Sequence, residues 1–242
     1  GSIHTISEDT ISLGTDTNLT DALSYYHSSG VSAIKLSDDK IFVSYRNASY
    51  ECAVILTISN NTITVNTPVQ LHNTVKDAAR KAIKIYDHMV AILYGHSNGS
   101  GNSIMITVCR ISGTTVSLFT SGNNWHYLGG LTYTEDGIGW FFDAVQLDNN
   151  KILIVRSKDD SRTLYATIAT IGSTSSSIES TTALNTNNKS GVCIQIKKLS
   201  NDKVCIIHGN ENWNLCCTVC TVDITNNVVT VNCSAVLKDT AS

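Results

Sequence analysis

The feature that most constrains how this chain can fold is a hairpin pattern that occurs five times along it. Each copy contains a strand of alternating apolar residues, a polar turn and a second strand rich in threonine. The copies lie at 3–14, 54–66, 106–119, 166–180 and 220–232. Aligned on Ile6, Ile58, Ile111, Ile171 and Ile224, they are 52, 53, 60 and 53 residues apart, so the chain consists of repeats of one small unit.

A second hairpin lies between successive copies of the first. It occurs at 32–47, 81–96, 143–158 and 194–210, with Leu36, Ile85, Leu147 and Leu199 at equivalent positions. The strands are rich in Val, Ile, Thr and Tyr in near alternation, and the turns contain Asn-Asn, Ser-Gly, Asp-Asp or Asn-Asp pairs that suit tight turns. The unit therefore has about 52 residues and four antiparallel strands.

A four-stranded antiparallel unit of this length predicts an all-β chain folded as a β-propeller, because radial stacking of the blades protects the sheet edges. We expect a single domain over 1–242 with about five blades of four strands, four of them complete and the N-terminal one partial. The predicted repeats lie near 1–20, 21–74, 75–125, 126–187 and 188–242. The best helix candidate, Val75 to Ile85, has room for at most one helical turn, because Lys81 to Ile85 aligns with the opening strand of the repeat.

Two details of the propeller can be predicted further. The repeats account for 18 strands where five closed blades need 20, and the missing two could precede residue 1, come from another chain, or lie in the insertion near 124–142. We expect the opening strands, around Ala33, Ala82, Ala144 and Cys193, to line a central channel. In the last blade, a two-residue turn at Asn226-Asn227 would place Cys220 directly opposite Cys233.

Composition excludes several classes of function. Charged residues make up 15% of the chain, the net charge is −3, and Lys and Arg do not cluster, so nucleic acid is not an expected partner. No apolar run approaches the roughly 18 residues that a membrane helix needs. Residues 1–20 lack the basic and apolar regions of a signal peptide. We expect no membrane insertion and no cofactor.

The repeated string resembles tandem β-propeller repeats of phage tail proteins and of other bacterial surface or secreted proteins. It is carried by SNNTITVNTPV at 59–69 with KLSDDKIFVSY at 35–45, and by TNNVVTVN at 225–232 with KLSNDKVCII at 198–207. The third copy departs most, because Ser173 to Ser177 lengthen its turn and Arg156 replaces the aromatic residue. The resemblance covers about nine-tenths of the chain and implies a recognition or scaffold module.

Residues typical of catalysis or metal binding do not form a convincing constellation. Cys217 and Cys220 form a CxxC motif near His208 and Cys205, but on a strand these two cysteines point to opposite faces. We therefore expect small buried cysteines without a metal, compatible with folding in a reducing bacterial cytoplasm. A glycosidase needs two converging carboxylates, and nothing indicates that Asp16, Asp21, Glu135 and Asp143 converge. We expect a chain that is not an enzyme.

Polar loops after the second strand of each blade are the more interesting candidates, because four equivalent loops would form a ring on one face. Amide, carboxylate and guanidinium groups mixed with aromatic rings are typical of sugar sites, although such residues are also common in ordinary loops. The candidate ligand-binding residues are Tyr45, Arg46, Asn47, Tyr50, His96, Asn98, Arg156, Asp159, His208, Asn210, Asn212 and Trp213. We expect Arg46, Asn47, His96, Asp159, Asn210 and Trp213 to be at least partly exposed.

Three functions are compatible with these observations. The leading one is a non-enzymatic recognition module of a phage tail, a tail-like particle or a bacterial surface, which binds cell-surface glycan or another receptor; it would be located in a virion or outside the cell. The second is a structural propeller that spaces or oligomerises other chains or domains without a small ligand. The third is a glycan-cleaving propeller enzyme.

Overall fold

A computed structural model describes residues 4–7, 10–13, 31–47, 50–60, 62–73, 80–97, 102–119, 126–133, 142–148, 150–158, 163–184, 190–210, 212 and 214–238. These residues form twenty β-strands in five antiparallel sheets. The first sheet is an N-terminal hairpin of two strands, β1 (His4–Ser7) and β2 (Thr10–Leu13).

The other four sheets are the blades. Blade 1 contains β3 (Ser32–Ser37), β4 (Lys40–Asn47), β5 (Tyr50–Ser59), β6 (Thr62–Val65) and β7 (Val69–Asn73). Blade 2 contains β8 (Arg80–Tyr86), β9 (Met89–Ser97), β10 (Asn102–Ser112), β11 (Thr115–Leu118) and β12 (His126–Tyr133). Blade 3 contains β13 (Phe142–Asp148), β14 (Lys151–Lys158), β15 (Thr163–Ile171) and β16 (Ser176–Leu184). Blade 4 contains β17 (Ser190–Lys198), β18 (Lys203–Asn210), β19 (Leu215–Asp223) and β20 (Val228–Lys238).

Blades 1 and 2 are also four-stranded, because their outermost strand is divided in two. β6 and β7 both pair with β5, and β11 and β12 both pair with β10. In the described part of the insertion near 124–142, β12 is thus a single strand that completes blade 2 rather than an added hairpin. By sheet pairing, blade 2 extends to Tyr133, whereas the repeat alignment ended it at 125.

The blades are arranged in a ring, and their opening strands contact one another in chain order. β3 packs against β8, β8 against β13, and β13 against β17. The prediction of an all-β propeller is confirmed, and so is the strand predicted over Lys81 to Ile85; residues 75–79 lie outside the described part. In that described part, no helix has the length and apolarity needed to cross a membrane.

Side chains on the opening strands tie each blade to the one before it. Lys84 Nζ donates to the carbonyl oxygen of Leu36 at 2.7 Å, and Gln146 Nε2 donates to that of Ile85 at 2.9 Å. Lys198 Nζ repeats this contact with the carbonyl of Leu147. Each donor directly precedes one of the equivalent residues Ile85, Leu147 and Leu199. The sequence repeat therefore specifies the stacking of the blades as well as the strand pairing within each blade.

Apolar side chains fill the space between blades. One cluster joins blades 1 and 2 around Phe42 and Ile92, a second joins blades 2 and 3 around Ile106 and Ile154, and a third joins blades 3 and 4 around Ile168 and Ile206. Most residues of β9 and β14 are buried, whichever face of the sheet they lie on, as expected for a sheet packed between two other sheets.

A repeated backbone hydrogen bond corrects the alignment of the last hairpin. Ile58, Ile111 and Ile171 each donate an N–H to the turn of the preceding hairpin, at Asp39, His88 and Asn150. In blade 4 the donor is Val222, to Asp202 at 2.7 Å, rather than Ile224.

The predicted two-residue turn at Asn226-Asn227 is therefore wrong. Asp223 pairs with Val228, which leaves a four-residue turn whose N–H groups at Thr225 and Asn226 donate to the Asp223 carboxylate. Cys220 consequently faces Val231, and Cys233 faces Val219.

Candidate functional site

In each blade the second strand ends and the third strand begins at the same end of the sheet, which we call the loop end. Three predicted ligand-binding residues near it are buried: Tyr45 is 1% exposed, Arg156 6% and His208 0%. Together with Tyr94, they occupy the same repeat position, nine residues after Leu36, Ile85, Leu147 and Leu199. Because side chains alternate along a strand, this position faces the preceding blade in blades 2 to 4. In blade 1, Tyr45 instead packs with Val43, Cys52, Val54 and Leu56 on the face away from blade 2. The assignment of these three residues to an open site is corrected accordingly.

Other predicted residues of the loop end are more accessible. Arg46 and Asn47 are half-buried, Tyr50 is 36% exposed and Asn212 is exposed. The expected exposure of Asn210 is wrong, because its side chain is 5% exposed and its Oδ1 accepts the N–H groups of Asn212 and Asn214. Asn98, Asp159 and Trp213 lie outside the described residues, as does the side chain of His96.

A buried ion pair joins blades 1 and 2 near the loop end. Arg80 Nη2 lies 2.9 Å from Glu51 Oε2, and both side chains are fully buried. Burial raises the pKa of Glu51 to about 7, although the neighbouring Arg80 acts in the opposite direction. The contact binds β8 to β5 and was not predicted, because neither residue belongs to a turn or a recognised motif.

Blade 4 has a second buried polar chain near the loop end. His208 Nε2 lies 3.3 Å from Thr218 Oγ1, which in turn lies 3.0 Å from Ser234 Oγ. Burial lowers the pKa of His208, so this imidazole is neutral at neutral pH. These contacts hold the Nε2 atom of His208 inside blade 4.

A cleft of about 260 Å³ lies between blades 2 and 3 at the opposite end, which we call the turn end. Its lining consists of Tyr86, His88, Met89, Phe119, Asn150, Ile171, Gly172 and Ser173. We refer to it as the turn-end cleft. Blade 2 supplies the aromatic side, and the turns of blade 3 supply the polar side.

The aromatic side of the cleft is held in place by neighbouring groups. The rings of Tyr86 and His88 stack with centroids 5.8 Å apart and an angle of 8° between planes. The guanidinium of Arg110 lies 4.7 Å from the centre of the Phe119 ring. Fixed aromatic faces of this kind can cover the apolar C–H face of a sugar ring.

The polar side of the cleft has an amide and a tight turn. Asn150 lines this side, and its backbone carbonyl accepts the N–H of Ile171 at 2.7 Å. Gly172 donates to the carbonyl of Ser175 at 2.8 Å, and a Cβ at Gly172 would approach that oxygen to 2.7 Å. Glycine is therefore required here, and the turn brings Ser173 to the cleft.

Asp143, Cys216 and Cys220 are buried within the blades. Asp143, one of the four acids considered for glycosidase chemistry, is 4% exposed and accepts N–H groups of Ala144 and Ile196 while pairing with Lys81. Asp16, Asp21 and Glu135 lie outside the described residues. Cys205 and Cys217 Sγ atoms are 3.3 Å apart on the outer face of blade 4, whereas Cys216 and Cys220 point into the core. Within the described residues, no three metal-binding side chains come together.

Comparison with known proteins places the chain by its fold. No protein-family model matches it, and no curated protein matches it. Three solved structures are similar. A NanB sialidase variant from Streptococcus pneumoniae has a TM-score of 0.54 at 12% identity over 82% of this chain and 28% of that chain. A protein from Lactobacillus plantarum has a TM-score of 0.53 at 9% identity over 88% of this chain and 56% of that chain. The Aleuria aurantia lectin in complex with Fucα1-6GlcNAc has a TM-score of 0.50 at 14% identity over 87% of this chain and 63% of that chain.

The fold and these comparisons define the chain as a β-propeller. At 14% identity and below, the likeness shows the fold alone. The chain spans less than two thirds of the length of each of the three structures.

Proposed function

We propose that this propeller is a non-enzymatic recognition module that binds a glycan. The observation that carries the proposal is the turn-end cleft, which combines the rings of Tyr86 and Phe119 with the amide of Asn150 and the turn at Ser173. A sugar needs both kinds of group, because its ring has an apolar C–H face and its hydroxyls must keep hydrogen-bond partners on binding. The fucose-containing complex of the similar lectin and the similar sialidase add support at the level of fold.

The size of the cleft favours one sugar ring. A volume of about 260 Å³ lies just below the range of roughly 300–1,000 Å³ of sites for drug-sized ligands. We further propose that the glycan belongs to a cell surface and that the protein works in a phage tail, a tail-like particle or at a bacterial surface. Absence of catalysis is part of the proposal, since Asp143 is already engaged in contacts between blades.

A glycan array followed by calorimetry on the best ligand tests the proposal. Tyr86 and Tyr50 provide a matched pair, because they are 38% and 36% exposed at opposite ends of the blades. We expect Tyr86→Ala and Phe119→Ala to weaken binding at least tenfold and Tyr50→Ala to leave it unchanged. Loss of binding in Tyr50→Ala or Trp213→Ala alone would move the site to the loop end. Release of new reducing ends from the bound glycan would contradict the non-enzymatic assignment.

Joining of chains is a second candidate function, favoured by the outer face of blade 4. Cys205, Ile207, Cys217 and Val219 are only half-buried there. The equivalent residues of blade 3, Leu153, Val155, Ala166 and Ile168, are 0% exposed because blade 4 covers them. We propose a second copy of the chain as the partner on this face. Light scattering should then detect a dimer that Val219→Lys converts to monomer; a wild-type monomer at all concentrations would refute this role.

A further inference from the structure

The three blade interfaces in the described part of the chain differ at two repeat positions beside the turn end. The first is the residue after the turn acceptors Asp39, His88 and Asn150, which is Lys40, Met89 or Lys151. The second position lies on or directly after the fourth strand. Ile58, Ile111 and Ile171 pair with Ile63, Val116 and Ser176 of that strand, and the residues three positions further on are Asn66, Phe119 and Glu179. Only the interface between blades 2 and 3 combines two apolar side chains, Met89 and Phe119, among these three.

Between blades 3 and 4, a lysine occupies the space that is open one interface earlier. Lys151 Nζ donates to the carbonyl oxygen of Ile224 at 2.9 Å and to Asn227 Oδ1 at 2.7 Å. Ile224 lies two residues after Val222, the donor of the repeated backbone bond. The lysine thus crosses from its own blade and binds the turn of the next one.

The residue equivalent to Ile224 in blade 3 is Ser173, two residues after Ile171. Ser173 lines the turn-end cleft, and the residue equivalent to Lys151 is Met89, which is 3% exposed. A thioether has no N–H to donate. The carbonyl position that Lys151 serves in one interface is therefore left for a donor from outside in the other.

We propose that Lys151 acts as a built-in occupant of the space between blades 3 and 4 that is equivalent to the turn-end cleft, and that Met89 leaves the turn-end cleft open to a ligand. This inference rests on the proposed function and deepens it. The ligand is a pyranose with one hydroxyl donating to the blade 3 turn at Ser173, in the place of a lysine ammonium, and its C–H face lies toward Phe119. That edge of the sugar is uncharged, since a carbonyl oxygen repels sulfate and carboxylate groups.

At the first interface the same position is also a lysine, but it is held differently. Lys40 Nζ lies 3.6 Å from Asp39 Oδ2 of its own turn, and its side chain is 29% exposed. In blade 4 the equivalent residue, Lys203, is exposed and provides a matched control.

Calorimetry with methyl glycosides of glucose, galactose, mannose, fucose and N-acetylglucosamine tests the inference on four proteins: wild type, Met89→Lys, Lys151→Met and Lys203→Met. We expect one bound sugar per wild-type chain, at least tenfold weaker binding in Met89→Lys, a second bound sugar in Lys151→Met, and no change in Lys203→Met. Unchanged binding by Met89→Lys would overturn the inference, and so would one sugar per chain in Lys151→Met.

Thermal unfolding of the same proteins separates this inference from the proposed function. Lys151→Met should lower Tm by about 2–4 °C per lost hydrogen bond of ordinary strength, while Lys203→Met should leave Tm unchanged. If no methyl glycoside binds wild type but Tm falls as expected, the proposed function fails and the lysine remains the occupant. If Tm of Lys151→Met equals that of wild type, the occupant role itself is refuted.

Discussion

Replacement of Arg80 by Met is expected to destabilise the protein more than most single substitutions. The Arg80 and Glu51 side chains are both fully buried, and Arg80 Nη2 lies 2.9 Å from Glu51 Oε2. Removal of one partner from a buried ion pair leaves the other charge without compensation and costs about 3–5 kcal/mol. For a chain of this size, each kcal/mol corresponds to about 2–4 °C in Tm, so we expect a fall in Tm of roughly 6–20 °C.

The pH dependence of this loss follows from the carboxyl group of Glu51. Its pKa in the folded protein is raised from 4.5 to about 7, so the fold favours the protonated form. The stability that this group contributes is fully present below about pH 4.5 and is lost as pH rises through about 7. The Arg80→Met variant should therefore lose less stability at pH 5 than at pH 8, because Glu51 can take up a proton at low cost.

Urea unfolding of wild type, Arg80→Met and the double variant Arg80→Met/Glu51→Leu, each at pH 5 and pH 8, measures these effects. The double variant should recover most of the lost free energy of unfolding, since two apolar side chains can replace a buried pair without penalty. A loss below about 1 kcal/mol in the single variant, as for an exposed ion pair, would refute the buried placement. So would a double variant no more stable than the single one.

Three further predictions concern the blades. Burial lowers the pKa of His208, so as pH falls below about 6.5 the unfolded state binds more protons and stability decreases; urea unfolding at pH 5 and 7.5 should show a smaller decrease in His208→Gln. Ile154→Ala, at a fully buried position between blades 2 and 3, should reduce the free energy of unfolding by about 2–5 kcal/mol, and the half-buried Ile207→Ala by less. Diamide should oxidise Cys205 and Cys217, whose Sγ atoms are 3.3 Å apart, to a disulfide that peptide mapping detects and that is absent in Cys205→Ser.

The sequence predicted the fold because its signal is repeated. Five aligned hairpins, and the anchors Leu36, Ile85, Leu147 and Leu199, establish four-stranded units whatever the error at any one turn. One error did occur in blade 4, where the side chain of Asp223 accepts the N–H groups of two turn residues and stabilises a loop of four residues. Asn-Asn at 226–227 indicated a shorter turn, and only Asn227 has a positive φ, of 56°.

The candidate site was harder to predict, because a propeller site lies between units of the repeat. Tyr45, Arg156 and His208 are polar residues near strand ends, but the alternation of side chains places them on buried faces of their blades. The cleft takes residues from 86–89, 119, 150 and 171–173, which adjoin only after blades 2 and 3 pack together. The aligned repeats do contain a signal for the cleft. Met89 and Phe119 are apolar residues at two repeat positions where the other blades have polar residues.

NMR spectroscopy can locate a bound glycan at the turn-end cleft residue by residue. Backbone amide shifts of the labelled protein would be followed during titration with the five methyl glycosides. We expect the largest shifts at His88, Asn150 and Ser173, with little change at Arg46, Asn47 and Tyr50. Shifts concentrated at the loop end, or none anywhere at millimolar sugar, would contradict the proposed site.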